Sequence, residues 1–169
     1  MGRSWRTISV VVATVLATVL VQDAVAGVIS KPSQIGGQHR PVLKVVRDAR
    51  GAQTSSNHWV DLPGATTTLT VPAGERWIVL ARFSGDGDCI TAPGWCTVRV
   101  LVGGVEAAPA TGTDFHWESA NDNRQARSMD RSSGPLDPGT YTVQVQWAVN
   151  DLSSFSLNSW VLVVESALT

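Results

Sequence analysis

The chain has 169 residues, a net charge of −1 and a charged fraction of 16%. This length fits one domain, and a near-neutral chain without runs of like charge favours neither a nucleic acid nor an anionic membrane surface as partner.

The first 26 residues have the pattern of a secretory signal peptide. Two arginines precede an uncharged apolar run over residues 7–22, and the small residues of Ala24-Val25-Ala26 follow it. The run is short for a membrane span, which needs about 20 apolar residues. We therefore predict cleavage after Ala26, secretion of the protein and no remaining membrane span. The other 143 residues carry 11 basic and 13 acidic side chains, a net charge of −2.

Residues 27–40 are rich in Gly, Ser, Pro and Gln and show no apolar period, which predicts a flexible leader with a solvated His39. The domain is expected over residues 41–169. Its first strand is predicted at 41–48, at a sheet edge because of Pro41. Two more are predicted at 58–62 and 65–71, separated by a turn at Pro63-Gly64.

The stretch over residues 75–84 follows a Pro-Ala-Gly turn and is apolar on both of its faces, so we predict a deeply covered central strand. Its expected hairpin partner is 97–102, which ends at the Gly103-Gly104 turn and continues into 105–107.

The polar region that follows is harder to assign, with strands predicted at 114–119 and 126–131. The clearest strand signal is LDPGTYTVQVQW at 136–147, where apolar residues alternate with Thr and Gln after a Pro-Gly turn. Such a strand has one buried and one polar face, as in an antiparallel sheet. Two final strands are predicted at 154–157 and 159–165.

About eight to ten short strands without a helical stretch predict an all-β fold, an antiparallel β-sandwich of jelly-roll type. The segments PAGERWIVLARF, LDPGTYTVQVQW and SFSLNSWVLVV together resemble the pattern of C1q/TNF-like jelly-roll domains. The resemblance implies trimeric assembly and ligand binding through loops or strand faces, with no catalytic residues to transfer. The chain has no collagen-like stalk.

The two cysteines, Cys89 and Cys96, are expected to form a disulfide, because a secreted chain with a single pair most simply closes it. Zinc would need two further ligands at suitable spacing, and no other cysteines are present to supply them. The short enclosed segment suggests that the bridge holds one loop rather than the whole fold.

The same predicted loop, residues 85–96, contains two candidate calcium ligands. Asp86 and Asp88 lie in a Gly-Asp-Gly-Asp sequence, and further carboxylates are available in the polar region from Asp114, Glu118 and Asp122. The alternative is that these aspartates are solvated turn residues, since no complete calcium-loop pattern is present. Calcium is the one cofactor that the sequence offers.

Two tryptophans are candidates for stacking on a sugar ring, Trp95 and Trp117. The alternative for Trp95 is that its ring caps the end of the sandwich. Three others, in apolar rows, are expected in the core: Trp77, Trp147 and Trp160. The position of Trp59 stays open.

A catalytic interpretation depends on His58 and His116, each of which lies within three residues of an acid and could form part of an acid–base pair. Ordinary surface histidines on strands are the preferred explanation of both, and no common hydrolase motif occurs. We therefore expect a secreted, non-catalytic binding or assembly domain, associated with a cell surface or envelope. The expected partner is a protein, a carbohydrate or a further copy of the chain. A carbohydrate-binding module and a secreted hydrolase remain the alternatives.

Overall fold

The computed structural model describes residues 38–90, 94–111, 117–119, 123–150 and 154–169, with side chains throughout except at 38–41, 118 and 119. The predicted signal peptide and most of the predicted leader lie outside these ranges. Within them the chain is all-β and forms two antiparallel sheets, which confirms the predicted sandwich. No helix in the described residues is long and apolar enough to cross a membrane.

The described ranges contain ten strands. In chain order they are β1 Gln38–Asp48, β2 Ala52–Thr54, β3 Val60–Val71, β4 Trp77–Ile90, β5 Trp95–Val102, β6 Val105–Glu106, β7 Glu118–Ser119, β8 Gln125–Ser132, β9 Gly139–Val149 and β10 Ser154–Leu168. The first strand thus begins three residues before the boundary predicted at 41.

The strand order is that of a jelly roll. Sheet A has the order β1-β10-β4-β8, with β2 also paired to β10. Sheet B has the order β3-β9-β5-β6, with β7 also paired to β5. The pairs β1–β10, β3–β9, β4–β8 and β5–β6 are nested, as if one long hairpin had been wrapped so that successive pairs alternate between the two sheets.

The strand with the clearest sequence signal, β9, has the two faces that its alternation predicts. Val143, Val145 and Trp147 are buried between the sheets, whereas Thr140 and Thr142 are exposed on the outer face. Strand β9 pairs with β3 on one side and β5 on the other, so it is central in sheet B.

Strand β4 is central in sheet A, as predicted, but it is longer than predicted and differs in its partners. It pairs with β10 and β8, and β5 belongs to the other sheet, so the predicted hairpin with 97–102 is wrong. The strand is apolar on both faces, but only one face is covered. Leu80 and the side chains in its row lie on the outer surface of sheet A.

Most of the loop predicted at 85–96 is also wrong, since residues 85–90 continue β4 and residues 95–96 begin β5. Gly85 and Gly87 face the sheet interior and are close to β10, where the pairing register shifts between Leu157 and Ser159. A Cβ on Gly87 would lie 2.9 Å from Cδ2 of Leu157 and would overlap the carbonyl oxygen of Ser156. The glycines therefore permit a close backbone approach rather than a turn.

Two pairs of predicted strands are each one continuous strand. Residues 60–62 of the first predicted segment and all of 65–71 belong to β3, whose register with β9 shifts between Asp61 and Thr66. Segments 154–157 and 159–165 belong to β10, which is continuous across Asn158. An irregularity in pairing bends a strand without ending it, so the turn predicted at Pro63-Gly64 is wrong.

The core lies between the sheets and contains the three tryptophans expected there, Trp77, Trp147 and Trp160, each no more than 5% exposed. Rings from both sheets meet in it, for example Trp147 of β9 and Phe155 of β10 at a centroid distance of 5.5 Å. Tilted aromatic pairs of this kind add about 0.5–1.5 kcal/mol to the free energy of burial.

Candidate functional site

A groove with a volume of about 640 Å³ lies on the outer face of sheet A. It is lined by the end of β1 and the turn after it, and by residues of β4, β8 and β10. Its volume is within the range of about 300–1,000 Å³ that is usual for ligand sites. We call it the arginine groove, after Arg47, Arg50 and Arg127, which contribute its positive charges.

Small side chains form the floor of the arginine groove. Asp86 of β4 is flanked by its cross-strand neighbours Ser159 of β10 and Ala126 of β8. Two residues along β4, the hydroxyl of Ser84 donates a hydrogen bond to the hydroxyl oxygen of Ser128 at 2.9 Å. Cross-strand partners share one face of a sheet, so this row of small residues leaves a depression between the bulkier side chains around it.

One end of the groove is formed by a paired arginine. The guanidinium of Arg50 donates to both carboxylate oxygens of Asp48, with N–O distances between 2.6 and 3.1 Å. The backbone N–H of Arg50 also donates to the same carboxylate at 2.8 Å. These hydrogen bonds hold the pKa of Asp48 well below its ordinary value, at about 2.

We expect Asp48 to titrate near pH 2 and its titration to move towards the ordinary value of 3.8 when Arg50 is changed to Gln. Because the folded-state pKa is lowered, the pair favours the folded state above about pH 4 and loses this contribution as the pH falls through about 2. The chemical shift of the Asp48 carboxyl carbon measures this directly. Arg76→Gln, which removes an arginine paired with Asp137, should leave the midpoint unchanged. A wild-type midpoint near 3.8 would contradict the assignment.

The other charges of the groove differ in how they are engaged. Arg127 donates from Nη2 to Oε1 of Gln125 at 2.7 Å. Arg47 and Asp86 make no hydrogen bond or ion pair with any part of the chain that the structure describes. They lie on strands separated by β10, and Arg47 is level with Ser84 rather than Asp86, so their backbones are about 12 Å apart. A cation and an anion thus face the same groove without neutralising each other through contact.

The remaining half of this outer face is apolar. Leu43, Val45 and Leu80 are 62, 53 and 38% exposed. Val163 is the cross-strand partner of Val45, and Val161 is that of Arg47, so both valines lie on the same face. We call Leu43, Val45, Leu80, Val161 and Val163 the outer apolar patch; it adjoins the arginine groove at Val161.

The charged side chains within the patch are one arginine and two acids, Arg82, Asp130 and Glu165. Arg82 donates to Oδ1 of Asp130 at 2.7 Å, and this contact raises the pKa of the arginine, with a smaller contribution from Glu165. The pair is half exposed, and solvent weakens such surface pairs. The patch therefore contains charges of both signs, with Glu165 left as an additional acid.

The two proposed calcium ligands lie on the outward side of β4, two residues apart. Asp86 lies in the arginine groove, and Asp88 is opposite Ser156 in the pairing with β10. Among the described residues no group of three or more His, Cys, Asp or Glu is placed to hold a metal ion. The additional carboxylates of Asp114, Glu118 and Asp122 lie outside the described side chains.

The two proposed sugar-stacking tryptophans are in different surroundings. Trp117 is 3% exposed, and its ring lies 5.5 Å from that of Phe83, so it belongs to the core and offers no ring face to a ligand. Trp95 is half-buried at the start of β5, where its backbone N–H donates to Oδ1 of Asn150 at 2.5 Å. Neither ring lines the arginine groove.

The tryptophan left open, Trp59, is covered by a cation. The guanidinium of Arg99 lies 4.4 Å from its ring centroid and donates to Oε1 of Gln146 at 2.6 and 2.9 Å. Trp59, which follows the exposed His58 in the chain, therefore makes a cation–π contact with Arg99 of sheet B. His116 lies outside the described residues, so the structure does not place the two histidines together.

The predicted disulfide is present, with a Cα–Cα distance of 5.7 Å between Cys89 and Cys96. It joins the end of β4 in sheet A to the start of β5 in sheet B, and both cysteines are fully buried. The bridge therefore connects the two sheets at one end of the sandwich rather than holding a single surface loop.

Comparison with known proteins adds little to this geometry. No family model and no curated protein matches the sequence. Among solved structures, the chain is similar to dimeric latent PorU from Porphyromonas gingivalis, with 12% identity, a TM-score of 0.40, and coverage of 83% of this chain and 14% of that one. It is also similar to the Agl-KA catalytic domain, with 14% identity, a TM-score of 0.33 and coverage of 81 and 30%. The chain thus spans less than a third of the length of either, and similarity at this level carries no functional conclusion.

Sequence reasoning selected Asp86 but missed its neighbours in the groove. Arg47 and Arg50 are separated from Asp86 by more than thirty residues and carry no motif. They are brought to the same face because β1 and β4 both pair with β10. Only the strand order could have indicated this.

Proposed function

We propose that this protein is a secreted, non-catalytic binding or assembly domain that associates with further copies of itself through the outer apolar patch. The observation that carries the proposal is the exposure of Leu43 and Val45, each more than half exposed, on the outer face of an edge strand. Contiguous exposed apolar side chains on a sheet face are typical of interaction surfaces.

A second copy fits this surface better than a strongly charged partner would. The ion pair of Arg82 with Asp130 and the carboxylate of Glu165 lie among the apolar side chains, so the patch combines both signs of charge. Two identical patches can therefore meet with Arg82 of one copy next to Glu165 of the other, as a self-complementary interface requires. Strand β1 is also an edge strand of sheet A, and edges are common places for association.

The C1q/TNF-like resemblance supports the same proposal, because it implies trimeric assembly. Secretion is supported by the signal-peptide pattern of residues 1–26 together with the buried disulfide, since disulfides persist in oxidising compartments. Association with a cell surface or envelope would follow if the assembled form presents its loops in several copies.

The test is the mass of the mature protein in solution, measured by light scattering over a range of concentrations. We expect a defined oligomer in the wild type, and a shift to the mass of one chain in Val45→Glu, because a carboxylate in the patch would have to be desolvated on association. The association constant should fall by at least about tenfold.

The matched control is Val105→Glu, which places the same charge at a 72% exposed valine of β6 in the other sheet. It should leave the oligomer intact, and circular dichroism should show that both variants fold. A wild type that remains a single chain up to about 100 µM, or equal dissociation in both variants, would contradict the proposal.

A further inference from the structure

We infer that the arginine groove is a binding site for a carboxylated saccharide, such as a uronic acid unit of an extracellular polysaccharide. The inference does not depend on self-association, because every residue that lines the groove comes from one chain.

The cationic end of the groove suits a carboxylate. Arg47 is exposed and makes no hydrogen bond or ion pair with the described part of the chain, so its guanidinium can bind a carboxylate through two parallel hydrogen bonds. Arg50 is held next to it by Asp48, and this pairing fixes its position while its side chain stays 88% exposed. The two arginines therefore place positive charge at one end of the groove.

The floor of the groove suits hydroxyl groups. Asp86 is half-buried and without a hydrogen-bond partner among the described residues, so both oxygens of its carboxylate can accept from a ligand. Ser159 adds a hydroxyl that can donate or accept, and the Ser84 hydroxyl, which donates to Ser128, can accept. Vicinal hydroxyls that donate to a carboxylate are a common feature of saccharides, whereas a simple anion has no hydroxyl to donate to Asp86.

The remaining lining suits the C–H faces of a sugar ring. Ala49, Ala126 and Val161 supply small apolar contacts between the charged groups. An open groove that combines a cation, a hydrogen-bond acceptor about 12 Å away by backbone spacing and apolar carbon between them matches a ligand with the same three kinds of surface. A purely apolar ligand would leave Arg47 and Asp86 desolvated without partners.

The experiment is titration calorimetry of the mature protein with an oligogalacturonate, and with an uncharged galacto-oligosaccharide of the same length. We expect binding of the charged oligosaccharide and at least about tenfold weaker binding of the neutral one. Arg47→Gln should weaken oligogalacturonate binding about tenfold. The control Arg76→Gln removes the same charge from an exposed ion pair on Asp137, outside the groove, and should leave the affinity unchanged.

Asp86→Asn distinguishes a saccharide site from a site that attracts any anion. If Asp86 accepts hydrogen bonds from hydroxyl groups, the variant should bind oligogalacturonate about tenfold more weakly. If the groove acts through charge alone, removal of a negative charge should strengthen binding and dextran sulfate should bind equally well, which would overturn the inference. Absence of wild-type binding, or equal weakening by Arg76→Gln, would also overturn it. Repeating the titration with Val45→Glu separates the outcome from that of self-association, because binding should persist in that variant.

Discussion

Replacing Gly87 with alanine is expected to lower the free energy of unfolding by about 3 kcal/mol, although it adds only one methyl group. The new Cβ would overlap the carbonyl oxygen of Ser156 and lie 3.2 Å from the Cα of Leu157. Backbone atoms of a central strand cannot move aside as a flexible side chain can, and Ser156 is fixed by its pairing with Asp88. The melting temperature should fall by roughly 10 °C in a domain of this size.

Two other glycines provide the scale for this measurement. At Gly85 the nearest contact of an added Cβ is the Cδ2 of Leu157 at 3.1 Å, so Gly85→Ala should have an intermediate effect. At Gly134 an added Cβ meets nothing within 4 Å, so Gly134→Ala should be nearly neutral. Equal melting temperatures for Gly87→Ala and Gly134→Ala would show that β10 can shift at its irregularity and would contradict the prediction.

Removing the disulfide by the double substitution Cys89→Ala and Cys96→Ala is expected to cost about 3 kcal/mol. The chain-entropy account gives about 2.5 kcal/mol for a loop of about eight residues, and the loss of two fully buried sulfur atoms adds to it. The urea midpoint of the double variant should be lower than that of the oxidised wild type, with little change in the slope of the transition.

The position of the bridge leads to a local expectation as well. Because it joins β4 of sheet A to β5 of sheet B, hydrogen exchange should accelerate most at the end of the sandwich where Phe155 and Val149 pack near the cysteines. The control is the exchange of the wild type with its disulfide intact. Reductant added without denaturant should leave this disulfide in place, because both cysteines are buried. An unchanged urea midpoint in the double variant would contradict the expected contribution of the bridge.

The two proposed interactions use neighbouring halves of one surface. The outer apolar patch and the arginine groove are both on the outer face of sheet A, and Val161 belongs to both. Self-association through the patch would therefore bring two or more grooves into one assembly, and a polymeric saccharide could bind several of them at once. This gain in avidity requires both self-association and saccharide binding. The light-scattering test depends only on self-association, and the calorimetric test depends only on saccharide binding.

The outer face of sheet B is of a different kind. Thr68 and Thr142 face each other across β3 and β9, and the hydroxyls of Thr70 and Thr140 lie 3.1 Å apart. Threonines at exposed strand positions favour extended geometry, and their hydroxyls form hydrogen bonds with each other or with water. Contact of the sheet with solvent is therefore enough to explain the threonines on this face. The contrast between the two faces makes sheet A the better candidate for interactions.

The sequence by itself determined the elements that depend on local chemistry. The alternation of Val143, Val145 and Trp147 with polar residues predicted β9 and its buried face, because side chains of a strand alternate between its two sides. The pairing of Cys89 with Cys96 followed from their being the two cysteines of the chain. The all-β class followed from many short strand signals without a helical one.

Only the tertiary structure decided which segments lie side by side. Gly85 and Gly87 are read locally as turn formers, but they continue β4 because β10 approaches them closely, and this approach is a contact over about seventy residues of sequence. The same holds for Leu80, whose exposure depends on which face of sheet A remains uncovered, and for Arg47, which reaches Asp86 through the shared partner β10. Strand order is set by the burial of whole faces between two sheets, and no local pattern specifies it.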